Sequence, residues 1–577
     1  MARGENETMP ASVGATPESA PGFGGPEVGE LPGNDGTLRT QVEESGVGEA
    51  PAGGSGEEGA STSVASAASA HPSVPGESAA PARGASRASA RAETPAPARG
   101  ESPAPPPASA RTESRSRAGA PLDILTGPVW KKMLLFVLPI MGGSLFQQLY
   151  YYVDAAVVGH AVGSAALGAV DSTQPLLGLF IDFFVGLATG ATIVIAQYWG
   201  ARDERHVSEA VHTAVAFAVV IGLLITLIGL PLAEPMLRLM NTPEETLPYA
   251  LTFIRIQLVG VSFMMVYNMG ASILRSVGDS RRPFYFLIAC SLVNISLELL
   301  FVVVLGWGVA GAAWATVVAI ATSAVLVMAA LCRSREAYRV ELRRVGFSGP
   351  MLRRVMGIGL PTGVQMSTFS VSNMIIQSGV NACGPQIVAA YAVCGKCNMV
   401  LWLVLDSFAL GATTFMGQCY GAGDIPRAKC SVWVAVAQCY AFTLPMGALI
   451  LLFAPQISGI FTSDVSLLPD TLMFLHLLLP GYFTFILAQM LTGAVRGTGE
   501  TLRPMLIMLG GVCALRIVWM LVVVRIWPGA LMVAMAYPVS WGATGLVSLL
   551  YYLRGGWRRR LDAVEARVAR QREAAVA

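Results

Sequence analysis

From Leu134 onward the chain alternates long apolar stretches with short polar turns. Each stretch runs for about 20 residues or more, enough to cross a hydrocarbon core as a helix. Twelve helices are predicted, at approximately 134–158, 168–198, 208–232, 248–273, 284–304, 309–331, 355–381, 387–419, 430–453, 469–494, 504–526 and 530–553. Residues 1–120 break the pattern. They hold 15 of the 35 prolines, no Cys, Lys or Trp, and a single aromatic, Phe23. A segment of that kind cannot bury enough apolar surface to offset chain entropy, so it reads as a disordered tail.

Composition excludes a cytosolic enzyme: 53% of the 577 residues are hydrophobic and 13% charged, about half the charged share of a soluble domain. The net charge of +2 hides an acidic tail, with 9 Arg against 15 Asp or Glu, and a basic remainder, with 30 Lys or Arg against 22 Asp or Glu. Nothing in this balance points to nucleic acid. All nine cysteines follow residue 289, mostly in apolar stretches, so free thiols are expected rather than a disulfide framework.

Charge also orients the chain. Loops after even-numbered spans carry 16 Lys or Arg, from Arg202 to Arg503, whereas loops after odd-numbered spans carry Arg238 and Arg525. The positive-inside rule then puts both termini in the cytoplasm. The start, MARGENETMP, lacks the apolar run of a secretory signal. Seven Arg against three Glu in 81–120 favour the same face. Pro103 to Pro107 reads as a solvated spacer ahead of a docking arm. From Trp557 the sequence WRRRLDAVEARVAR forms a basic amphipathic helix lying on that face.

An internal repeat sets the architecture. At an offset of 221 residues, Gly190-Ala191-Thr192 through Gln197 falls on Gly411-Ala412-Thr413 through Gln418. Arg275 to Asp279 with Arg282-Pro283 falls on Arg496 to Glu500 with Arg503-Pro504, and Phe253 and Gly260 fall on Phe474 and Gly481. Six helices are thus repeated twice, and because six is even the repeats run parallel, related by an axis along the membrane normal. The expected fold is an all-α integral membrane protein of twelve transmembrane helices in two parallel six-helix repeats. Its expected parts are the tail 1–120, an N-lobe 121–332, a basic inter-lobe linker 333–354, a C-lobe 355–553 and a basic tail 554–577. The repeated turns G-A-x-D and R-x-x-G-[DE] serve either helix-end geometry and headgroup anchoring or a charged gate.

These residues resemble the multidrug and toxic compound extrusion (MATE) family over about 121–555. The resemblance rests on Gln147 to Asp154 followed by Val158-Gly159, the G-A-T and Gln-x-x-Gly-Ala elements, the R-x-x-G-D turn, and Asn294 to Thr316 with N-I-S-L-E and G-W-G-V-A-G-A-A-W-A-T. It implies a cation-coupled antiporter that expels organic cations and other amphipathic compounds through alternating access of two lobes.

Ionisable groups at bilayer depth are costly and mark candidate sites. Eight need weighing: Asp154, Asp182, Arg255, Glu298, Lys396, Asp406, His476 and Arg516. Gln147 lies seven residues before Asp154, and Asn294 lies four before Glu298, so each pair shares a helical face. The resemblance assigns Gln147, Asp154, Asn294, Glu298 and Thr316 to a polar N-lobe site for the coupling cation. Glu298 stands where the family usually has Asp. Counting from Leu360-Pro361, Phe369 stands where sodium-binding members carry a Glu in the other lobe, which favours N-lobe coupling with H⁺ ahead of Na⁺. The competing account of Asp154 and Glu298 is a satisfied interhelical hydrogen bond. Asp182, Lys396 and Asp406 pair or line the cavity, although Lys396 and Asp406, ten residues apart, do not pair along one helix. Arg255 and His476 occupy equivalent repeat positions near the outer ends of their spans, and snorkelling or surface packing competes with a gating or relay role. Cys394-Gly395-Lys396-Cys397 is read as a coincidental C-x-x-C within a helix. Met264, Met265, Met269 and Met366 suit lipid-facing core or an adaptable cargo surface. No G-x-x-x-x-G-K loop is present to bring ATP into the cycle.

The sequence therefore predicts a monomeric, non-enzymatic, multi-pass plasma-membrane antiporter. Its partners are small organic cations or amphipathic drugs and the bilayer, and it needs no cofactor beyond transported H⁺ or Na⁺. The alternatives are a flippase for lipid-linked saccharides and a membrane receptor or scaffold that uses the tail.

Overall fold

A computed structural model describes residues 121–239, 242–462 and 464–576. The predicted tail, 1–120, lies outside the described residues. Twelve long helices follow: α1 Val129–Ala161, α2 Ser164–Gly200, α3 Glu204–Leu239, α4 Leu247–Ser276, α5 Arg281–Val304 and α6 Gly308–Arg333, then α7 Gly349–Asn381, α8 Pro385–Ala422, α9 Ile425–Leu452, α10 Leu468–Gly497, α11 Leu502–Ile526 and α12 Ala530–Arg554. A short helix, Ala454–Phe461, follows α9, and α13, Trp557–Val576, closes the described chain. Each predicted span falls within one of these helices, give or take a residue at the ends.

Among the described residues, eleven helices are both long and apolar enough to cross a membrane. The exception is α7, which spans 33 residues but carries Gln365, Ser370, Asn373 and Gln377. All four line an internal cavity, so its polarity faces the protein and not lipid. Elsewhere large apolar side chains such as Leu223, Leu224, Leu227 and Ile228 are exposed, as a lipid-facing belt requires.

Among the described residues the two largest of three hydrophobic cores hold the bundles together, and they do not follow the expected lobe boundaries cleanly. The first packs α2–α6 but takes in Met351, Val355 and Ile358 from the start of α7. The second packs α8–α12 but takes in Val129, Met133, Phe136 and Val137 from the start of α1. The exchange is pseudo-symmetric: each repeat lends the first turns of its opening helix to the other. Small residues permit the close contact, since a Cβ on Gly190 of α2 would lie 2.6 Å from the Gly359 Cα of α7. The basic linker 333–354 is docked onto α3. Tyr338 and Val340 are buried, and the Glu341 N–H donates to His212 Nε2 at 3.0 Å.

The repeated motifs converge where the C-terminal ends of α2 and α8 meet. Gln197 Nε2 donates to the Gly497 carbonyl at 2.9 Å, and its repeat partner Gln418 donates to the Ser276 carbonyl at 2.7 Å. Gly200 abuts the Gln418 backbone, and Gly421 abuts that of Gln197. Arg354 at the start of α7 adds bonds to Gln197 Oε1 at 3.0 Å and Tyr198 Oη at 2.5 Å. Across this end lies α13, with Trp557 and Leu561 fully buried and Val568 against Gly423. In the turn after α4, Asp279 meets the Arg282 guanidinium at 3.2 Å and accepts from the Arg281 and Arg282 N–H groups. Burial nevertheless holds its carboxyl above the usual carboxylate range.

Candidate functional site

Within the N-lobe, α1, α5 and α6 enclose a polar centre. Asp154 of α1 is 9% exposed and Glu298 of α5 is 0% exposed, and their carboxyl groups face each other closely enough to interact. One turn before Glu298, Asn294 donates through Nδ2 to Thr316 Oγ1 of α6 at 3.3 Å, and Thr316 in turn bonds the Ala312 carbonyl at 3.1 Å. Four oxygens are left without a hydrogen-bond partner: Asp154 Oδ1, Asn294 Oδ1 and both carboxyl oxygens of Glu298. No basic side chain forms an ion pair with either acid among the described residues. A π-helical turn, Leu299–Val304, starts directly after Glu298, a distortion found often at functional sites.

Four of the five residues assigned to this centre therefore come together. Gln147 does not join them: it is half-buried two turns earlier on α1 and makes no hydrogen bond to the group. Its neighbour Gln148 instead reaches across the lobes to Met399 Sδ at 2.8 Å. Simple i, i+7 spacing on α1 puts Gln147 on the right face but cannot tell how far up the helix the pocket extends.

The C-lobe repeats the arrangement with other chemistry. Arg516 of α11 is 1% exposed, and its helix carries a π-helical turn, Leu509–Ala514, just ahead of it. Its Nη1 donates to Asn373 Oδ1 of α7 at 3.1 Å and its Nε to Ser540 Oγ of α12 at 3.0 Å. The guanidinium carbon lies 4.4, 5.6 and 5.7 Å from the rings of Tyr537, Phe369 and Trp541. Tyr537 is the 221-residue counterpart of Thr316. Those three rings and Asn373 border a cavity of about 510 Å³. Beside Thr316 the N-lobe holds a pocket of about 50 Å³, lined by residues such as Tyr151, Phe253 and Gln257 and by neither Asp154 nor Glu298.

Two of the remaining candidates line the large cavity. Asp182 of α2 accepts from Ser370 Oγ of α7 at 2.5 Å, tying the lobes together. Asp406 opens to the cavity while interacting with Asp182 and Arg496. Lys396 departs from expectation: it is exposed, its ammonium 5.5 Å from the Phe461 ring, outside the cavity. Arg255 joins a surface ion-pair network through Glu234 at 3.5 Å. His476 is exposed and bonds the Leu472 carbonyl of its own helix at 2.8 Å. Cys394 and Cys397 are buried free thiols. Sequence reasoning undervalued Arg516, Gln197 and Gln418. For the glutamines, their identity at the repeat offset was the available signal.

Two parallel six-helix bundles that exchange their opening turns, each enclosing a buried polar centre, define a two-lobed multi-pass membrane transporter. The MatE family model matches residues 139–300 and again 361–522, more than half of the chain, with starts 222 residues apart. The chain belongs to the MatE family, the multidrug and toxic compound extrusion family whose motifs it shares. It is similar to a probable multidrug resistance protein, YoeA of Bacillus subtilis, at 29% identity over 66% of this chain and 83% of that one. It also resembles the FAD transporter of Shewanella oneidensis, at 22% identity over 62% and 79%. Its fold matches a MOP superfamily transporter from Pyrococcus furiosus with a TM-score of 0.71, at 24% identity over 78% of this chain and 99% of that one.

Proposed function

We propose that this chain is a cation-coupled antiporter that exports organic cations and other amphipathic drugs by alternating access of its two lobes. The observation that carries the coupling is the facing pair of Asp154 and Glu298, with orphaned oxygens and no basic partner. Two ionised carboxylates side by side and out of water require a compensating positive charge. A proton shared between them supplies it. Protonation from outside neutralises the centre, weakens its hold on a cationic cargo and biases the lobes toward the other packing. Cargo affinity and proton affinity are then reciprocally linked. The names of the multidrug relatives support the export of drugs.

Sodium is the second reading, favoured by one feature: the orphaned atoms are all oxygens, a donor set that suits a hard cation. The N-lobe 121–332, linker 333–354, C-lobe 355–553 and basic tail 554–577 act as the working parts, in a monomer of the plasma membrane with both termini cytoplasmic. Proteoliposomes decide between the readings, with rhodamine 6G flux followed under an imposed pH or sodium gradient for the parent, Asp154→Asn and Glu298→Gln. The expected result is flux driven by the pH gradient in the parent and lost in both variants. Flux that follows sodium alone selects the second reading, and undiminished flux in both variants removes the site.

A further inference from the structure

Arg516 plays no part in the coupling scheme, yet it is a buried cation with one prong of its guanidinium unused. Nη1 is held by Asn373 Oδ1, and Nη2 has no hydrogen-bond partner. An unmet charged donor in a protein interior is expensive and calls for an explanation. The group sits directly behind a cavity wall made by Phe369, Asn373, Tyr537 and Trp541. That wall holds a second orphaned donor, Trp541 Nε1. Two acids border the same cavity, Asp182 accepting from Ser370 Oγ and Asp406 near Asp182 and Arg496, and neither forms an ion pair with Arg516 among the described residues.

The geometry points to the C-lobe cavity as a binding site for aromatic cargo carrying an anionic group, with Arg516 as the anion receptor. Asn373 reaches both the cavity and the guanidinium. When its amide turns aside, Nη1 and Nη2 form the two-pronged donor that matches a carboxylate, sulfonate or phosphate. Phe369, Tyr391, Trp402, Tyr537 and Trp541 supply flat apolar walls for the ring system. Placing an anion there repays the desolvation of Arg516, which the resting structure meets only with neutral groups. This deepens the export reading, since it names a second cargo class for the same carrier.

Binding to purified full-length protein in neutral detergent micelles, with no gradient, tests it apart from coupling. The probes are fluorescein, an aromatic dianion, and rhodamine 6G, a cation on the same xanthene ring, each followed by fluorescence anisotropy. Saturable fluorescein binding by the parent is expected. Arg516→Gln should weaken it at least tenfold while leaving rhodamine 6G affinity unchanged or tighter. Asn373→Asp keeps Arg516 in place and gives it a fixed carboxylate, so it should weaken fluorescein to a similar extent, and it decides the matter where Arg516→Gln does not fold. No fluorescein binding by the parent, or fluorescein affinity within twofold of the parent in the folded variants, overturns the assignment. Neither outcome bears on gradient-driven flux through Asp154 and Glu298.

Discussion

In the N-lobe, helices α1, α5 and α6 enclose two carboxyl groups, an amide and a hydroxyl; in the C-lobe, α7, α11 and α12 enclose a guanidinium, an amide and a hydroxyl beneath aromatic rings. Both centres sit on a helix with a π-helical turn, Leu299–Val304 in one and Leu509–Ala514 in the other. The two turns stand 210 residues apart, out of register with the 221-residue repeat, one after Glu298 and one before Arg516, and the charge is opposite. One centre therefore lacks a positive charge and the other a negative one. The buried acidic pair suits a proton or bare ion, whereas the aromatic-walled cavity, bordered by Asp182 and Asp406 with Arg516 behind its wall, suits an organic molecule.

The strongest way to break this contrast is to give the acidic centre a permanent cation. Glu298→Lys places an ammonium against Asp154 and makes a neutral pair. Gradient-driven flux should fall on the order of a hundredfold while thermal stability holds, because the pair satisfies itself. A sharp fall in the melting temperature would mean that Glu298 serves packing rather than exchange. Removing the amide support is gentler: Asn294→Ala loses the bond to Thr316, worth about 1 kcal/mol, and flux should drop about fivefold. Thr316→Val should give a similar drop through the same contact, and the double variant should not exceed either single variant by much.

The seam offers a symmetry test. Gln418→Ala deletes one inter-lobe bond, to Ser276, and should shift the lobes by about 1 kcal/mol toward opening at that end, whereas Gln197→Ala deletes the bond to Gly497 and also the acceptor of Arg354 and should shift them further. Spin labels on Arg205→Cys and on the exposed Cys430 would read the larger shift for Gln197→Ala. Equal shifts would mean that the Arg354 bond adds nothing to closure. The smallest effect concerns Arg202, which has a φ of 57° where its repeat counterpart Gly423 has 73°. Arg202→Gly relieves a left-handed conformation that costs a side-chain-bearing residue about 1 kcal/mol. It should raise the stability of the N-lobe by that amount in a denaturation assay.

Much of this was legible in the chain. Twelve apolar stretches and the 221-residue offset fix the helices and their parallel repetition, because lipid admits few alternatives to helices of that length. Asp154 and Glu298 were identifiable as ionisable residues in lipid-length runs and Asn294 by its spacing from Glu298, whereas Thr316 came from the family resemblance alone. Arg516 was visible as an intramembrane charge, but the ring of Phe369, Tyr537 and Trp541 around it comes from two other helices, α7 and α12, and no periodicity in one helix reveals that. The same holds for the exchanged opening turns. Met133 and Val355 read as ordinary apolar positions, and only packing tells which lobe buries them. Lys396 misled because hydropathy places a charge at a depth without placing its direction around the helix.

The central claim is that Asp154 and Glu298 hold a proton that cationic cargo displaces. The direct measurement is proton release, followed with a pH-indicating dye in weakly buffered detergent solution, as rhodamine 6G is added to saturation. Parent protein should release a proton for each cation bound, and Asp154→Asn combined with Glu298→Gln should release none. Equal release by both proteins, or binding by the parent without any release, would contradict it.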